Sequence, residues 1–417
     1  MRVLWIVNTI FPELAEELKL DKIVYGGWMY GLADALVNNT DIKLSIATVH
    51  DGEYIEKKVN NKIYILIPNK DKSSIKNYWK KVKEEQQPNV VHIHGTEYNH
   101  GLLYMQQNGA DQVVFSIQGL VNVYERYYLS GLSFKEIISN ITFRDIVRWD
   151  NLYQQKYKFK KRGVQEQEYF KRSKHVIGRT DWDKVHAYFN NKNITYHFCN
   201  EMLRSGFYSS KKWSITNCEQ HTIFLSQANY PLKGLHKVLE AVALLKDEFP
   251  NIKIKIGGHN IIKEDTFVDK LKLTGYGNFI KNKIRKLDLI DNVEFLGNLQ
   301  EEQMINEYLK ANVFICPSAI ENSPNSLGEA QLLGVPSIAA YVGGTPNMIT
   351  NGVDGLLYRF EEIEMLAYQI KQLFINNDLC KELSKNAILA SDNRHDKNNI
   401  SKQILSIYKN ISITNKL

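Results

Sequence analysis

Cysteine is scarce in this chain of 417 residues: Cys199, Cys218, Cys316 and Cys380 stand far apart, with no C-x-x-C spacing. That excludes a thiolate zinc site and a disulfide framework, and it fits a reducing, cytoplasmic compartment. Long apolar runs are missing too. The opening "MRVLWIVNTIFPE" is broken by Pro12 and passes into the acidic "ELAEELKLD", so it reads as a first buried strand rather than a secretory signal or a membrane span. There is no tandem repeat and no low-complexity tract beyond the mildly biased "YQQKYKFKKRGVQEQEYFKRSK". No G-x-G-x-x-G follows the first strand, where "VNTIFPE" stands instead, which argues against a dinucleotide-dependent dehydrogenase.

What is present is an ordinary globular composition, 43% hydrophobic and 24% charged, in a chain long enough for more than one core. The charge is uneven: residues 1–204 carry 29 Lys and Arg against 23 Asp and Glu, and the remainder 24 against 23. Short β-rich runs alternate with helical segments throughout the first half: "VLWIV", "IKLSIATV", "KIYILI", "VVHIHG", "VVFSIQG", "HVIGRT" and "ITYHFC". The theme restarts with "TIFLSQA", "IKIKIGG", "VEFLG", "VFICPS", "SIAAY" and "GLLY". Such alternation predicts two successive α/β domains, each a doubly wound parallel sheet of Rossmann type, facing a central cleft. The polar stretch "NEMLRSGFYSSKKWSITNCEQ" places the boundary near residue 210, giving domains over 1–210 and 211–390. Residues 391–417 form a last amphipathic helix expected to pack back toward the N-terminal domain.

The densest chemistry lies in "CPSAIENSPNSLGEAQLLGVPSIAAYVGGTPNMI". Ser323 and Pro324 look like an N-cap and a first helical position, Gly334 like a left-handed C-cap, and Pro336 blocks continuation before a second strand. Glu321 then sits on the loop before a helix of about ten residues and Glu329 in its second turn, both able to face the crevice at the carboxyl edge of a parallel sheet. The helix N-terminus, with the amides of Asn325, Ser326 and Leu327, is an anion site. Carboxylates flanking an anion site suit the hydroxyls of a sugar or ribose, and the combination suits a nucleotide sugar.

This stretch resembles the retaining GT-B glycosyltransferases, glycosyltransferase family 4 in particular. The resemblance rests on Glu321-x7-Glu329, the Gly334-Val335-Pro336 stop, the Gly343-Gly344-Thr345-Pro346 turn and "NGVDGLLY". It implies that Glu321 contacts the donor sugar, that Glu329 contacts the ribose, and that Lys233 in "SQANYPLKG" contacts the diphosphate. The arginine usual in that loop is absent, Gln227-Ala228 standing in its place. Gly257 and Gly258 match a glycine turn beside the donor, and Gly26 and Gly27 a glycine pair opening a helix near donor phosphate or acceptor. A histidine near the reaction centre is replaced by Gln118, leaving His94 either as the catalytic alternative or as a structural residue. Arg179 and Asp181 in "HVIGRTDWDKVHAYF" are similar to strings in bacterial surface-polysaccharide enzymes; Asp181 can cap a helix or meet a substrate. Asn200 and Glu201 border the expected cleft.

The resemblance implies transfer of a hexosyl unit from a UDP- or GDP-linked sugar, with retention, to a glycan or polyprenyl-linked saccharide in capsule or O-antigen assembly. No cofactor and no metal are expected, since no Asp-x-Asp lies at a strand end. The alternatives are a GT-B sugar-nucleotide epimerase and a non-catalytic pseudo-glycosyltransferase subunit. The basic segment 156–174 is either a solvated helix face or a peripheral contact with anionic lipid, and no motif supports nucleic-acid binding.

Overall fold

The computed structural model describes residues 1–20 and 27–414, so the expectation for Gly26 lies outside the described residues. The chain divides into two compact units, Met1–Asn122 with Lys161–Leu203 and His395–Leu417, and Val123–Lys160 with Arg204–Arg394.

The first unit is built on an eight-stranded sheet of β1 (Arg2–Ile6), β2 (Lys43–His50), β3 (Ile55–Val59), β4 (Lys62–Pro68), β5 (Val90–His94), β6 (Val113–Ser116), β7 (His175–Gly178) and β8 (Thr195–Phe198), in the order 3-4-2-1-5-6-7-8. Every pairing is parallel except β3 with β4. That hairpin closes through Asn60 and Asn61, whose φ values of 47° and 61° give the left-handed turn that matches strand twist. The sequence reading missed β3. Its "IEKKV" has no buried residue, as expected of an edge strand that discourages further pairing with lysines.

The core of this unit gathers Trp5, Ile46 and Val114 with a stripe on the last helix, Lys397–Thr414: Ile400, Ile404, Ile407, Tyr408 and Ile411. The i, i+4, i+7 spacing puts these on one face, and each buried isoleucine contributes roughly 1.5–3 kcal/mol. The helix is also fixed by polar contacts: Trp5 Nε1 donates to Tyr408 Oη at 2.9 Å, and His92 Nδ1 lies 2.6 Å from the same hydroxyl.

The second unit carries a six-stranded, wholly parallel sheet of β9 (Glu219–Leu225), β10 (Lys253–Gly257), β11 (Val293–Gly297), β12 (Ala311–Cys316), β13 (Ser337–Ala340) and β14 (Leu356–Tyr358), in the order 11-10-9-12-13-14. β12 and β13 are buried at every position, which is why they read as unbroken apolar runs. Residues 123–160 group with this unit, a departure from a contiguous domain over 1–210. The reason is packing: Tyr128 stacks on Tyr230, His236 Nε2 lies 3.0 Å from the Ser130 carbonyl, and Asn282 donates to Asn140 at 2.9 Å.

Among the parallel strands the order reverses between β1 and β5 in the first sheet and between β9 and β12 in the second. Crevices outside the carboxyl ends of such strands are where open α/β sheets bind ligands.

Candidate functional site

Three loops meet at the exit of β12. The first is the continuation of β12 itself, in which Ser318 Oγ donates to Glu321 Oε1 at 2.8 Å. The second follows β9, where the turn Pro231–Lys233 ends on Gly234 at φ 71°. A Cβ on Gly234 would lie 1.8 Å from the Pro317 carbonyl oxygen, so close approach and backbone conformation both demand glycine. This contact, with Ala319 N donating to Leu232 O at 2.8 Å, carries Lys233 Nζ to 2.6 Å from Glu321 Oε1. The third loop follows β13: Gly344 N donates to the Glu321 carbonyl at 2.9 Å, and a Cβ on Gly343, at φ 51°, would lie 1.9 Å from that carbonyl. Glu321 is thus held through side chain and backbone together. Burial opposes charge on Lys233, but Glu321 outweighs it and holds the ammonium above the ordinary lysine range.

The helix after Glu321 spans Asn325–Leu333, and its N-cap is Pro324 rather than Ser323. Ser323 Oγ faces Met348 Sδ at 3.5 Å, so no side chain caps this end. Of the three amides assigned to an anion, that of Leu327 donates to Pro324 O at 3.0 Å; Asn325 and Ser326 lie in the half-buried first turn. Gly334 ends the helix at φ 82°, with Val335 N donating to Ala330 O and Gly334 N to Gln331 O, the two bonds of a left-handed helix stop.

Glu329 is buried and carries a partner that no local pattern announced. Arg204 Nε and Nη2 donate to its two oxygens at 2.7 Å each, a bidentate fork. Burial pushes the Glu329 carboxyl above the usual range and Arg204 counters it. On the neighbouring strand exits, Gly257 sits against the Ser226 carbonyl, at 2.9 Å from an added Cβ, and Gly258 adopts φ 91° beside Asn229. Gln227 is exposed and Ala228 buried, so the loop supplies no second cation where the missing arginine would stand.

In the first unit the structure brings His94, Arg179, Asn200 and Glu201 around one cavity of about 20 Å³, enough for a single water. Gln118 Nε2 donates to Glu201 Oε1 at 2.6 Å, Arg179 pairs with Glu201, and the Arg179 guanidinium also donates to Ile117 O. His94, 4% exposed, lies against Trp5 and His92 at ring distances of 4.3 and 3.8 Å, and neither of its ring nitrogens has a hydrogen-bond partner. Burial, then His92 and Arg179, hold it well below the usual histidine range, so it is neutral. Thr180, not Asp181, caps the helix Asp181–Asn190, in a reciprocal box with Asp183; Asp181 stands exposed in the first turn. Gly27 opens the helix Gly27–Asn39.

Residues 209–390 match the family model described as glycosyl transferases, group 1. This part of the chain is a group 1 glycosyl transferase domain. Among curated relatives, the D-inositol 3-phosphate glycosyltransferase of Corynebacterium urealyticum is 26% identical over 183 residues, which are 43% of this chain and 41% of that protein. The aligned part thus spans about two fifths of that relative's length. Among solved structures, sucrose-phosphate synthase of Thermosynechococcus elongatus superimposes with a TM-score of 0.72 at 16% identity, over 99% of this chain and all of that one. Anabaena HepE in complex with UDP and glucose superimposes with a TM-score of 0.67 at 15% identity, over 98% of this chain and 100% of that one. The fold is GT-B.

The matched residues contain Glu321, Glu329 and Lys233, whereas Arg204 and the helix Leu152–Arg172 that carries the basic segment lie outside them. Many of that segment's cations are already engaged: Lys156 with Glu125, Lys158 with Asp150, and Lys171 with Glu168. Tyr169 and Phe170 are core residues, not surface aromatics. The structure also reveals Glu166, fully buried, accepting from Thr96 Oγ1, Val121 N and Asn122 N at 2.7, 3.1 and 2.9 Å. Burial raises its carboxyl to about 7. Sequence reading passed it over as one more residue of a polar helix. Among the described residues no group of His, Cys, Asp and Glu is arranged to hold a metal ion, and no helix is long and apolar enough to cross a membrane.

Proposed function

We propose that the protein is a retaining glycosyltransferase that moves a hexosyl unit from a nucleoside-diphosphate sugar to a saccharide acceptor, without a metal. The observation that carries this reading is the Lys233–Glu321 pair, set by two glycine contacts at the strand-order reversal of a group 1 glycosyl transferase domain. The difficult event is departure of the diphosphate while positive charge grows on the sugar ring. Lys233 uses one N–H on Glu321 and keeps two for phosphate oxygens, and the half-buried turn at Asn325 and Ser326 adds the positive end of a helix. Glu321 orients the sugar and Glu329 meets the ribose with the lone pairs that Arg204 leaves. The anomeric carbon loses its bond to the phosphate oxygen, the acceptor oxygen bonds on the same face, and its proton passes to the departing phosphate. In the first unit, neutral His94 is the group offered to the acceptor, with Arg179, Glu201, Gln118 and Asn200 as its surroundings.

Because HepE was solved with UDP and glucose, UDP-sugars are the first donors to test, followed by GDP- and ADP-sugars. Calorimetry without added metal should show selective binding of one base, lost in Glu329→Ala. Product analysis by proton coupling at the anomeric carbon then reads retention. The acceptor belongs, in this reading, to a surface polysaccharide pathway of the cytoplasm; turnover of donor without acceptor into a second nucleotide sugar would replace it by an epimerase. Absence of binding to every donor would replace it by a non-catalytic subunit.

A further inference from the structure

The hydrogen bonds beside His94 run in one direction. The indole Nε1 of Trp5 can only donate, and it donates to Tyr408 Oη at 2.9 Å. The single hydrogen of that hydroxyl is then left for His92 Nδ1, 2.6 Å away. Burial holds His92 near 3, so its ring is neutral. With Nδ1 accepting, the ring hydrogen sits on Nε2 and is donated to Ser116 Oγ at 2.7 Å. The Ser116 hydrogen is thereby turned away from His92 and has no acceptor among the described residues. All four side chains are buried, and the last of them lines the cavity of about 20 Å³ that His94 also lines.

The cavity therefore receives one O–H from Ser116 and faces a neutral imidazole whose two nitrogens, one with a hydrogen and one with a lone pair, lack partners among the described residues. Buried polar groups without partners are costly, and a ligand that pairs them is favoured. A hydroxyl accepts from Ser116 and suits either nitrogen of His94, whereas an ammonium, which only donates, leaves the Ser116 hydrogen unmet. An anion finds no spare positive charge. Arg179, the one cation of the lining, is paired with Glu201, and the charges behind them are Glu97 and Asp183 against Arg162. Trp28, partly exposed, lines the same cavity with its ring 5.5 Å from that of His94. An aromatic face beside groups that both donate and accept suits a sugar, its C–H face on the indole and a hydroxyl among the polar atoms. The space holds one oxygen and leaves no room for a second carbon at bonding distance from it, as attack on an anomeric carbon requires.

We propose that Ser116 and His94 seat one hydroxyl of the saccharide acceptor, other than the one that attacks, and that Tyr408 of the last helix is a positioning residue which, through His92, turns the Ser116 hydrogen toward it. The saccharide's role as acceptor rests on the glycosyl-transfer reading; the hydroxyl seat rests on the cavity alone.

The test uses the full chain with isotope-labelled histidine nitrogens, read by long-range proton–nitrogen correlation, His92→Gln and His94→Gln assigning the signals. In the parent, His92 should carry its hydrogen on Nε2, and Tyr408→Phe should release that tautomer. The probes are the methyl α-glycosides of glucose, galactose and mannose. At least one should shift the His94 nitrogens on titration, and one of its monodeoxy analogues should bind at least tenfold more weakly than the others. Ser116→Ala and Tyr408→Phe should each raise the Kd at least tenfold, with the His175 and His197 signals of the same sheet unmoved as the sign of an intact fold. No shift of His94 by any glycoside, equal binding of all the monodeoxy analogues, or a parent-like Kd in Ser116→Ala would each overturn the seat, and a His92 tautomer indifferent to Tyr408→Phe would overturn the positioning role. Donor calorimetry on the same protein separates the two readings: donor binding without a glycoside shift overturns the seat and keeps the transferase, whereas a glycoside shift without donor binding keeps the seat and overturns the transferase.

Discussion

The Arg204–Glu329 fork allows a structural role for Glu329 to be separated from a substrate role. The two side chains are 16% and 7% exposed, so solvent screens the pair little. Arg204→Met strands a buried carboxylate, and breaking a buried pair in this way costs about 3–5 kcal/mol. Glu329→Leu strands a guanidinium that still packs over Phe207, 4.7 Å from its centroid, and should cost less, about 1–3 kcal/mol. The double variant removes both charges and replaces them with apolar volume, which brings stability back to within about 1 kcal/mol of the parent. For a unit of this size 1 kcal/mol moves the melting temperature by roughly 2–4 °C, so Arg204→Met should melt at least about 6 °C below the parent and the double variant close to it. A chain of two units need not unfold in one step, and the shift is read on the transition that these substitutions move. Donor titration of the same proteins completes the cycle. If Glu329 meets the ribose, the double variant is stable and still fails to bind donor. Additive melting shifts would refute the coupling, and parent-like donor affinity in the double variant would refute the ribose contact.

Once the donor is known, Lys233→Ala should lower kcat about 10²–10³-fold with a smaller change in KM, measured by steady-state kinetics, because its charge acts on the departing diphosphate. Gly234→Ala and Gly343→Ala each drive a Cβ into a backbone carbonyl, so both should lower the melting temperature by at least several degrees and weaken donor binding on calorimetry. Below neutral pH the chain should lose stability steadily. Burial holds His92 and His236 near 3 and, with His175 adding repulsion, His197 near 4, so the unfolded chain alone takes up these protons below about pH 6.5, a loss of roughly 1.4 kcal/mol per pH unit for each group until its folded value is reached. Urea denaturation between pH 7 and 4.5 should show this slope, and His92→Gln should flatten it.

The parallel strands were legible because burial on both faces turns each into a short apolar run, as in "VFICPS" and "SIAAY". β3 was not, because an edge strand with no buried residue has no apolar alternation to read. The grouping of residues 123–160 with the second unit was hidden for another reason: short helices with polar sequences declare no partner, and contacts such as His236 with Ser130 join positions 106 apart. Ser323 looked like a cap because Ser-Pro is a good helix start, yet the chain places Pro324 there and turns Ser323 toward Met348. The glycines of the donor side could be read as a pattern, though not the carbonyls they abut. Arg204 lay in plain view in "NEMLR", but its partner is 125 residues away, a distance over which one sequence carries no pairing signal.

Glu321 and Glu329, eight positions apart, are held by different physics. The place of Glu321 is fixed by main chain: Gly234 abuts the carbonyl of Pro317, Gly343 abuts the carbonyl of Glu321 itself, and Gly344 donates to it, so the residue stays in position even if its side chain is altered. The place of Glu329 is fixed by helix burial and by one cation from a distant segment, so its carboxylate and the stability of the unit are coupled. A substitution at Glu321 leaves its backbone in place but strands Lys233, as one at Glu329 strands Arg204, so each tests chemistry and folding together until its partner is changed with it.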